Sequence, residues 1–242
     1  MTPTSALNAI DLRQDMHVHS TFSDGSSTIA ENLEQAARMG LTRICCVDHV
    51  RRDTKWVPDF AAAVGQAAAG LPLQVSTGIE AKILDSTGQL DLPRIRDGID
   101  RVYIADHQVP LADGPHAPTG IRAALADGRL FASDVVDAIV DATVAALLSH
   151  PRSVIAHLFS VLPKLGLSEA DVPADRLARL VRAARQSEAL VEIDERWKCP
   201  SLRTARAFRD AGVPIIFSTD SHRAADIGRY VFARSVHEGL TS

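Results

Sequence analysis

The sequence DMHVHS at residues 15–20 decides how the rest of this chain is interpreted. His17 and His19 stand two residues apart in a short run that is typical of a β-strand, so their side chains project from the same face of that strand. The sequence STDSH at residues 218–222 repeats this spacing with Asp220 and His222. Two pairs of polar side chains, separated by most of the chain, indicate a site that the fold has to assemble.

Between these two motifs, short apolar or β-branched runs alternate with longer helical patterns. Strands are predicted at residues 15–19, 43–47, 73–79, 101–105, 153–156, 190–193 and 214–218, and helices at 31–39, 58–69, 133–148, 175–187 and 201–211. This alternation favours a parallel sheet, and the seven strands predict one α/β barrel of about seven βα units. We expect a single domain over residues 1–242, with its core at about residues 15–222.

Two local features of this pattern carry predictions of their own. Ser133 stands before a strongly apolar helical run, and we expect its side chain to cap that helix. Residues 109–128 contain Pro and Gly and are too long for an ordinary connection, so we expect them to form a functional loop.

Composition and charge restrict the class of protein and of partner. The chain has 242 residues, of which 46% are hydrophobic and 23% are charged, which is enough for one sizeable core and excludes a disordered or fibrous protein. The formal net charge is −4, and the sequence shows no basic footprint for duplex nucleic acid and no polybasic membrane patch. We therefore expect neither duplex nucleic acid nor a membrane as a partner, and we make no prediction about the oligomeric state.

The N-terminal residues, the apolar runs and the cysteines indicate the cellular compartment of the protein. Residues 1–10 lack a basic stretch followed by an apolar run, so no signal peptide is expected, and no apolar run approaches the roughly 18 residues that a membrane span needs. Cys45 and Cys46 point to opposite faces of a predicted strand, and with Cys199 they are expected to be buried, reduced thiols. We expect a soluble, cytoplasmic protein.

Polar side chains stand where the predicted strands end. Besides the two motifs, His49, Glu80, His107 and His157 follow the second to fifth strands, and Asp24 lies in the first loop. In a βα barrel these positions lie on one rim, the carboxyl-terminal face on which active sites are built. Imidazoles and carboxylates suit zinc, manganese or iron, and nine candidate ligands suit two or three ions. The other histidines, His116, His150 and His237, follow no strand, and no site role is predicted for them.

These motifs resemble the PHP (polymerase and histidinol phosphatase) family. The resemblance rests on DMHVHS at 15–20, SDG at 23–25, VDH at 47–49, GIE at 78–80, DH at 106–107, AH at 156–157 and STDSH at 218–222, in the order of the family. It implies a distorted (β/α)7 TIM-like barrel, up to three divalent ions and phosphoester hydrolysis. The positions that match the metal ligands of the family are His17, His19, Asp24, His49, Glu80, His107, His157, Asp220 and His222. Glu80 and Asp220 look like bridging carboxylates.

The charge of a phosphoester suggests how such a site would act. Two close divalent ions lower the pKa of a bridging water and clamp the attacking and leaving oxygens, so we expect in-line attack by metal-bound hydroxide. Asp15 is expected to accept an imidazole N–H and so to orient a ligand histidine, and Asp48 and Asp106 are candidates for the same role. His222 or His157 is the candidate proton donor to the leaving group.

Arginines on the predicted rim are the candidate phosphate-binding residues, because a guanidinium matches phosphate oxygens. They are Arg51, Arg52, Arg122, Arg196 and Arg223. Trp56 and Trp197 also follow strand ends, where they would either stack on a nucleobase or cover the lip of the barrel.

The leading hypothesis is a hydrolase of phosphoric esters, a phosphomonoesterase similar to histidinol phosphatases that acts on a small phosphorylated metabolite or a nucleotide. A phosphodiesterase or short-oligonucleotide exonuclease is the first alternative, and a non-catalytic metal-binding module of the same family is the second. An amide-bond hydrolase on a related barrel comes last, because no lysine that could be carbamylated ends strands four to six.

Overall fold

The computed structural model describes residues 11–242, so residues 1–10, for which no signal peptide is predicted, lie outside the described part. The strands are β1 Gln14–Val18, β2 Arg43–His49, β3 Gln74–Lys82, β4 Arg101–Ala105, β5 Val109–Leu111, β6 Gly114–His116, β7 Val154–Ile155, β8 Leu190–Asp194 and β9 Ile215–Ser218. The helices are α1 Ile29–Arg38, α2 Val57–Ala68, α3 Pro118–Ala126, α4 Ala132–Ser149, α5 Leu162–Leu165, α6 Ala174–Gln186, α7 Leu202–Asp210 and α8 Phe232–Thr241.

Seven of these strands form one parallel sheet that is almost closed. Their order is β1-β2-β3-β4-β7-β8-β9, and each neighbouring pair is parallel. The two edges meet just beyond β1 and β9, where the His19 N–H donates to the Ser221 carbonyl over 2.8 Å and the Ser221 N–H donates to the His17 carbonyl over 3.3 Å. The predicted α/β barrel is confirmed, and this seam joins the first and last sequence motifs.

Local sequence explains where the first helix begins. The Thr28 side chain accepts the Glu31 N–H, and the Glu31 carboxylate accepts the Thr28 N–H over 2.7 Å, which is a complete capping box. Buried Ile29, Leu33 and Ala36 repeat at helical spacing, so one face of α1 packs on the sheet. Among residues 11–242 no helix is both long enough and apolar enough to cross a membrane.

Side chains pack on both faces of the barrel wall. Cys45 packs inside the barrel in a cluster with Val47 and Tyr103, whereas Cys46 packs outside with residues of α1 and α2. Cys45, Cys46 and Cys199 are all free and buried, as predicted. A strand thus supplies apolar residues to two layers at once, because successive side chains alternate between its faces.

Two local predictions are wrong. Residues 109–128 are not an irregular loop, since they contain the antiparallel pair β5–β6 and helix α3. Buried Val109 and Ile121 anchor this segment to the main core. Ser133 does not cap α4 either, because that helix begins one residue before it, at Ala132, with Phe131 at the cap position and no side-chain cap hydrogen bond.

Candidate metal centre

The carboxyl ends of the barrel strands bring together the residues that the sequence singles out. Nitrogen and oxygen atoms of nearly all of them form three overlapping groups, and within each group the ligand atoms lie within 4.8 Å of one another. The groups are His19, Asp24, His49 and His222; His17, His19 and Asp220; and His49, Glu80 and His107. His19 and His49 each belong to two groups, so the three candidate sites adjoin one another.

Glu80 lies at the centre of this arrangement. Strand β3 runs two residues past Glu80 and buries its side chain, so this residue lies inside the strand that was predicted to end before it. Five imidazoles approach its carboxylate: Oε1 lies 2.8 Å from His157 Nε2 and 3.0 Å from His107 Nε2, and Oε2 lies 2.9 Å from His49 Nδ1, 3.3 Å from His17 Nε2 and 3.5 Å from His19 Nε2. His157 joins the cluster through this contact. The geometry suits a carboxylate that takes part in binding a divalent cation together with these imidazoles.

Two aspartates flank the imidazoles on the side of the seam. Asp220 Oδ1 lies 3.0 Å from His19 Nε2, and Asp24 Oδ1 lies 3.2 Å from His222 Nε2. Gly25 lets the loop with Asp24 approach this closely, because a Cβ at Gly25 would lie 2.7 Å from the His19 carbonyl carbon. The SDG motif therefore needs its glycine for a close approach of two backbone segments.

Buried polar atoms of this cluster test whether a cation fits. His17 Nε2, both ring nitrogens of His19, Glu80 Oε2 and Asp220 Oδ1 are buried and form no hydrogen bond of acceptable geometry. Leaving such atoms unpaired costs free energy, and buried polar groups are otherwise almost always paired. The donor set consists of imidazoles and carboxylates that converge on shared points, as divalent transition metals require. The residues present fit a metal centre.

The pKa values show how strongly the charges of the cluster interact. Burial opposes ionisation of Glu80, but the surrounding imidazoles, His17 first, hold the pKa of its carboxyl well below the ordinary value. Burial also disfavours a charged His17, yet Glu192 and Glu80 outweigh it and raise the pKa of His17 well above the ordinary value. For His19 burial prevails and lowers the pKa to about 4. Protons and divalent cations would therefore compete for the same atoms.

This competition predicts how metal binding depends on pH. Because His17 holds a proton above its ordinary pKa, its proton must leave when Nε2 binds a cation. Lowering the pH from 8 to 6 is therefore expected to weaken Mn²⁺ binding about tenfold or more. We expect about one proton to be released for each ion that binds. Isothermal titration calorimetry in two buffers of different ionisation enthalpy measures both quantities. Equal affinity at the two pH values would contradict the prediction.

A carboxylate that the sequence analysis missed holds two of the histidines. Glu192, in the middle of β8, has a fully buried side chain. Its Oε1 lies 2.9 Å from His17 Nδ1, and its Oε2 accepts the His157 N–H over 2.6 Å. With Nδ1–H donating to Glu192, Nε2 is the His17 nitrogen that would bind a cation once its proton has left, which is how a carboxylate behind a histidine fixes the ligand tautomer. Glu192 could have been identified from the sequence, because it is a charged residue in the middle of an otherwise apolar predicted strand.

The three aspartates that were predicted to orient histidines have different partners. Asp15 accepts the N–H and O–H of Thr219 and the Gly228 N–H, so it anchors the loop with Asp220 and none of its described hydrogen bonds reaches an imidazole. Burial raises the pKa of Asp15 to about 6. Asp48 binds Ser20 and Ser23 and thus holds the loop with Asp24. Only Asp106 approaches a ligand imidazole, with its Oδ1 3.4 Å from His157 Nδ1.

The five predicted arginines lie at different positions relative to the cluster. Arg51 lines a cavity of about 520 Å³ beside His49, Glu80 and His107. Arg196 donates to the Asp220 carbonyl over 3.2 Å and contacts His222 Nδ1, so it lies at the opposite edge of the cluster. Arg223 pairs with Asp226 and lines a second cavity with Arg196, Asp220 and His222. Arg52 and Arg122 are exposed, and neither has a described side-chain contact with a predicted ligand.

Two further side chains reach the cluster from the rim. Trp197 Nε1 donates to Asp220 Oδ2 over 2.8 Å, which leaves Asp220 Oδ1 turned towards His19. Lys82 lines the cavity with Arg51 and lies two residues after Glu80 on the same strand. Trp197 was singled out from the sequence for stacking or for covering the lip, but the sequence analysis did not consider Lys82. Its spacing from Glu80 could have identified it.

Comparisons with known proteins agree with this geometry. A family model described as the PHP domain matches residues 15–182. Over 236 residues the chain is 24% identical to a "probable phosphatase" of Thermoanaerobacter sp. (strain X514), with 94% of this chain and 86% of that protein covered. A stretch of 72 residues is 42% identical to the phosphoribosyl 1,2-cyclic phosphate 1,2-diphosphodiesterase of Eggerthella lenta, with 30% of this chain and 25% of that protein covered.

Solved structures support the fold. The crystal structure of the "putative histidinol phosphatase" of Listeria monocytogenes superimposes with a TM-score of 0.66 at 15% identity, and the match covers 89% of this chain and 97% of that one. At this identity the likeness concerns the barrel alone. The family model is independent of it, spans more than half of the chain and contains the predicted ligands from His17 to His157. This chain therefore belongs to the PHP domain family, as its sequence motifs predict.

Proposed function

We propose that this protein is a metal-dependent phosphomonoesterase that acts on a small phosphorylated metabolite or a nucleotide, in the manner of histidinol phosphatases. The observation that carries the proposal is the buried carboxylate of Glu80, which faces imidazoles in or just after four other strands beside a cavity that Arg51 and Lys82 also line. The enzyme class predicted from the sequence, a phosphatase, is confirmed by the family and by the curated relative of that name.

The donor set would hold two or three divalent ions, with manganese, zinc or iron as the candidates. Glu80, Asp220, Asp24 and the imidazoles of the three groups are the residues that would hold them. Bound divalent ions supply positive charge to the phosphate oxygens and a nucleophile at neutral pH. Residues of the chain then have to bind the phosphate, orient it and deliver a proton to the leaving group.

The side chains around the cluster suit these tasks to different degrees. Arg51 and Lys82 bring positive charge to the cavity, and Arg196 brings it to the other edge. Of the two candidate proton donors, His157 is buried with its Nε2 turned to Glu80, whereas the side chain of His222 is 20% exposed at the rim. His222 is therefore the better exposed of the two for reaching the oxygen of a departing alcohol, and as a proton donor it would not at the same time be a metal ligand, because one ring nitrogen faces Asp24 and the other contacts Arg196.

Phosphodiester hydrolysis is the second candidate function. The observation in its favour is the 72-residue similarity to a cyclic phosphate diesterase, which is the match of highest identity among the proteins compared above. A metal centre of this kind stabilises in-line displacement on monoesters and diesters alike. The size and charge of the substrate would decide between them, so the two reactions have to be measured side by side.

The first test is the release of inorganic phosphate by manganese-loaded protein from a panel of monoesters, with diesters and cyclic phosphates in parallel. We expect release from monoesters, and a loss of about 100-fold or more in Asp220→Ala, because Asp220 faces His19 at the centre of the cluster. Asp59→Ala, which removes an exposed aspartate on α2, is the matched control. Turnover of diesters alone would replace the proposal with the second candidate, and no turnover by protein with bound metal would favour a non-catalytic role.

A further inference from the structure

The cavity beside the metal centre is much larger than a phosphate group. It measures about 520 Å³ and has Asp24, His49, Glu80 and His107 in its lining. Pockets of roughly 300–1,000 Å³ are typical of sites that enclose a whole small molecule. The side chains beyond the ligands should therefore match the organic part of the substrate.

Two aromatic rings, Phe22 and Trp56, line this cavity together with the ligands, and we call this pair the aromatic wall. Their centroids are 5.5 Å apart, with an interplanar angle of 51°. Phe60, which is fully buried, supports both rings from behind, with its centroid 5.5 Å from Phe22 and 5.8 Å from Trp56. Rings that are locked in this way offer a rigid apolar surface at little cost in conformational entropy.

One cationic side chain of the cavity, that of Lys82, is held by an ion pair. Lys82 Nζ lies 3.7 Å from Asp91 Oδ2, and Asp91 Oδ1 accepts the Arg52 N–H over 2.9 Å. Asp91 thus ties the loop that carries Arg51 to the strand that carries Glu80. One cavity therefore combines candidate metal ligands, two cations and an aromatic surface, which together match an anionic ester with a flat apolar group.

We propose that the substrate is a phosphomonoester with a planar aromatic group, of the class of nucleoside 5′-monophosphates, whose ring packs on the aromatic wall while its phosphate lies at the metal centre. This inference rests on the proposed function. A plain sugar phosphate would leave both rings in contact with water, whereas a base would cover them. Stacking of a base on an aromatic side chain depends little on base identity, so we expect several bases to be accepted.

The test compares adenosine 5′-monophosphate with ribose 5-phosphate, which share the same primary ester and differ in the base. Native protein is expected to hydrolyse the nucleotide with a kcat/KM about tenfold higher, as typical stacking contributions imply. Trp56→Leu and Phe22→Leu are each expected to remove most of this preference, because the loss of kcat/KM should be much larger on the nucleotide than on ribose 5-phosphate. Trp56→Phe, which keeps a ring, should preserve it. Adenosine, but not ribose, should inhibit native protein competitively, and Trp56→Leu should abolish that inhibition.

Controls separate a role in recognition from a role in folding. Phe131→Leu alters a residue that is 68% exposed and does not line the cavity, so it should leave the preference intact. The melting temperature of each variant shows whether Trp56→Leu or Phe22→Leu disturbs the core. Equal hydrolysis of both esters by native protein, or an equal loss on both in Trp56→Leu and Phe22→Leu, would overturn the aromatic assignment while the proposed function stands. Hydrolysis of neither ester, nor of any other monoester, would overturn the proposed function and this inference with it.

Discussion

Glu80→Gln is expected to lower kcat for phosphate release by about 1,000-fold, because Glu80 is the proposed central metal ligand and loss of such a ligand would remove several kcal/mol of transition-state stabilisation. The carboxylate faces five imidazoles, and an amide of the same size would turn its NH₂ group towards some of them and remove the negative charge that attracts cations. Steady-state kinetics at saturating Mn²⁺, with the metal content measured by mass spectrometry, check this result.

The matched control for Glu80→Gln is Glu34→Gln. Glu34 lies on the exposed face of α1, where it forms an i,i+4 pair with Arg38 at 3.8 Å. Exposed pairs of this kind contribute little, so the control should keep native activity and metal content. Native kcat in Glu80→Gln with a full complement of metal would show that this carboxylate is not the centre of the site.

Glu192→Gln is expected to weaken divalent metal binding by about 10- to 100-fold, the range typical of the partners that orient metal-bound histidines. Glu192 accepts from two donors, the His17 ring and the His157 backbone N–H, at 2.9 and 2.6 Å. An amide has one acceptor oxygen, so one of these donors would face an NH₂ group instead. Calorimetric titration with Mn²⁺ or Zn²⁺ measures the loss directly, without reference to activity.

Asp194→Asn provides a control on the same strand. Asp194 lies two residues from Glu192 and is equally buried, but its Oδ1 accepts the Trp197 N–H over 2.7 Å, and none of its described hydrogen bonds involves an imidazole. Asparagine keeps that acceptor oxygen, so metal affinity should stay within about twofold of native. An equal loss of affinity in both variants would mean that Glu192 acts by packing and not by orienting His17.

The convergence of the candidate metal ligands could be predicted because it depends on two regular properties. Side chains alternate along a strand, which puts His17 and His19 on one face, and the strands of a parallel barrel end on one rim. These two rules, applied to His49, Glu80, His107 and His157, lead to the cluster that the structure contains. No knowledge of the packing between helices was needed for that step.

The errors and omissions have physical causes of another kind. Residues 109–128 resemble a loop because Pro and Gly interrupt them, but burial of Val109 and Ile121 offsets the weak local preference. Asp15 was expected to accept an imidazole N–H, whereas its carboxylate accepts the N–H of Thr219, which lies in the loop after β9. Such partners depend on how two distant segments approach each other, which periodicity does not describe.

Sequence alone thus determined the family, the barrel and the set of candidate ligands, because repeated spacing at strand ends is a local property of the chain. Only the tertiary structure decided which atoms meet. It placed Glu80 among five imidazoles, set Glu192 behind His17, and put Arg51 and Lys82 in a cavity with Phe22 and Trp56. A contact between two side chains depends on their positions in three dimensions. Closure of the barrel fixes these positions, and the local spacing of residues along the chain does not describe them.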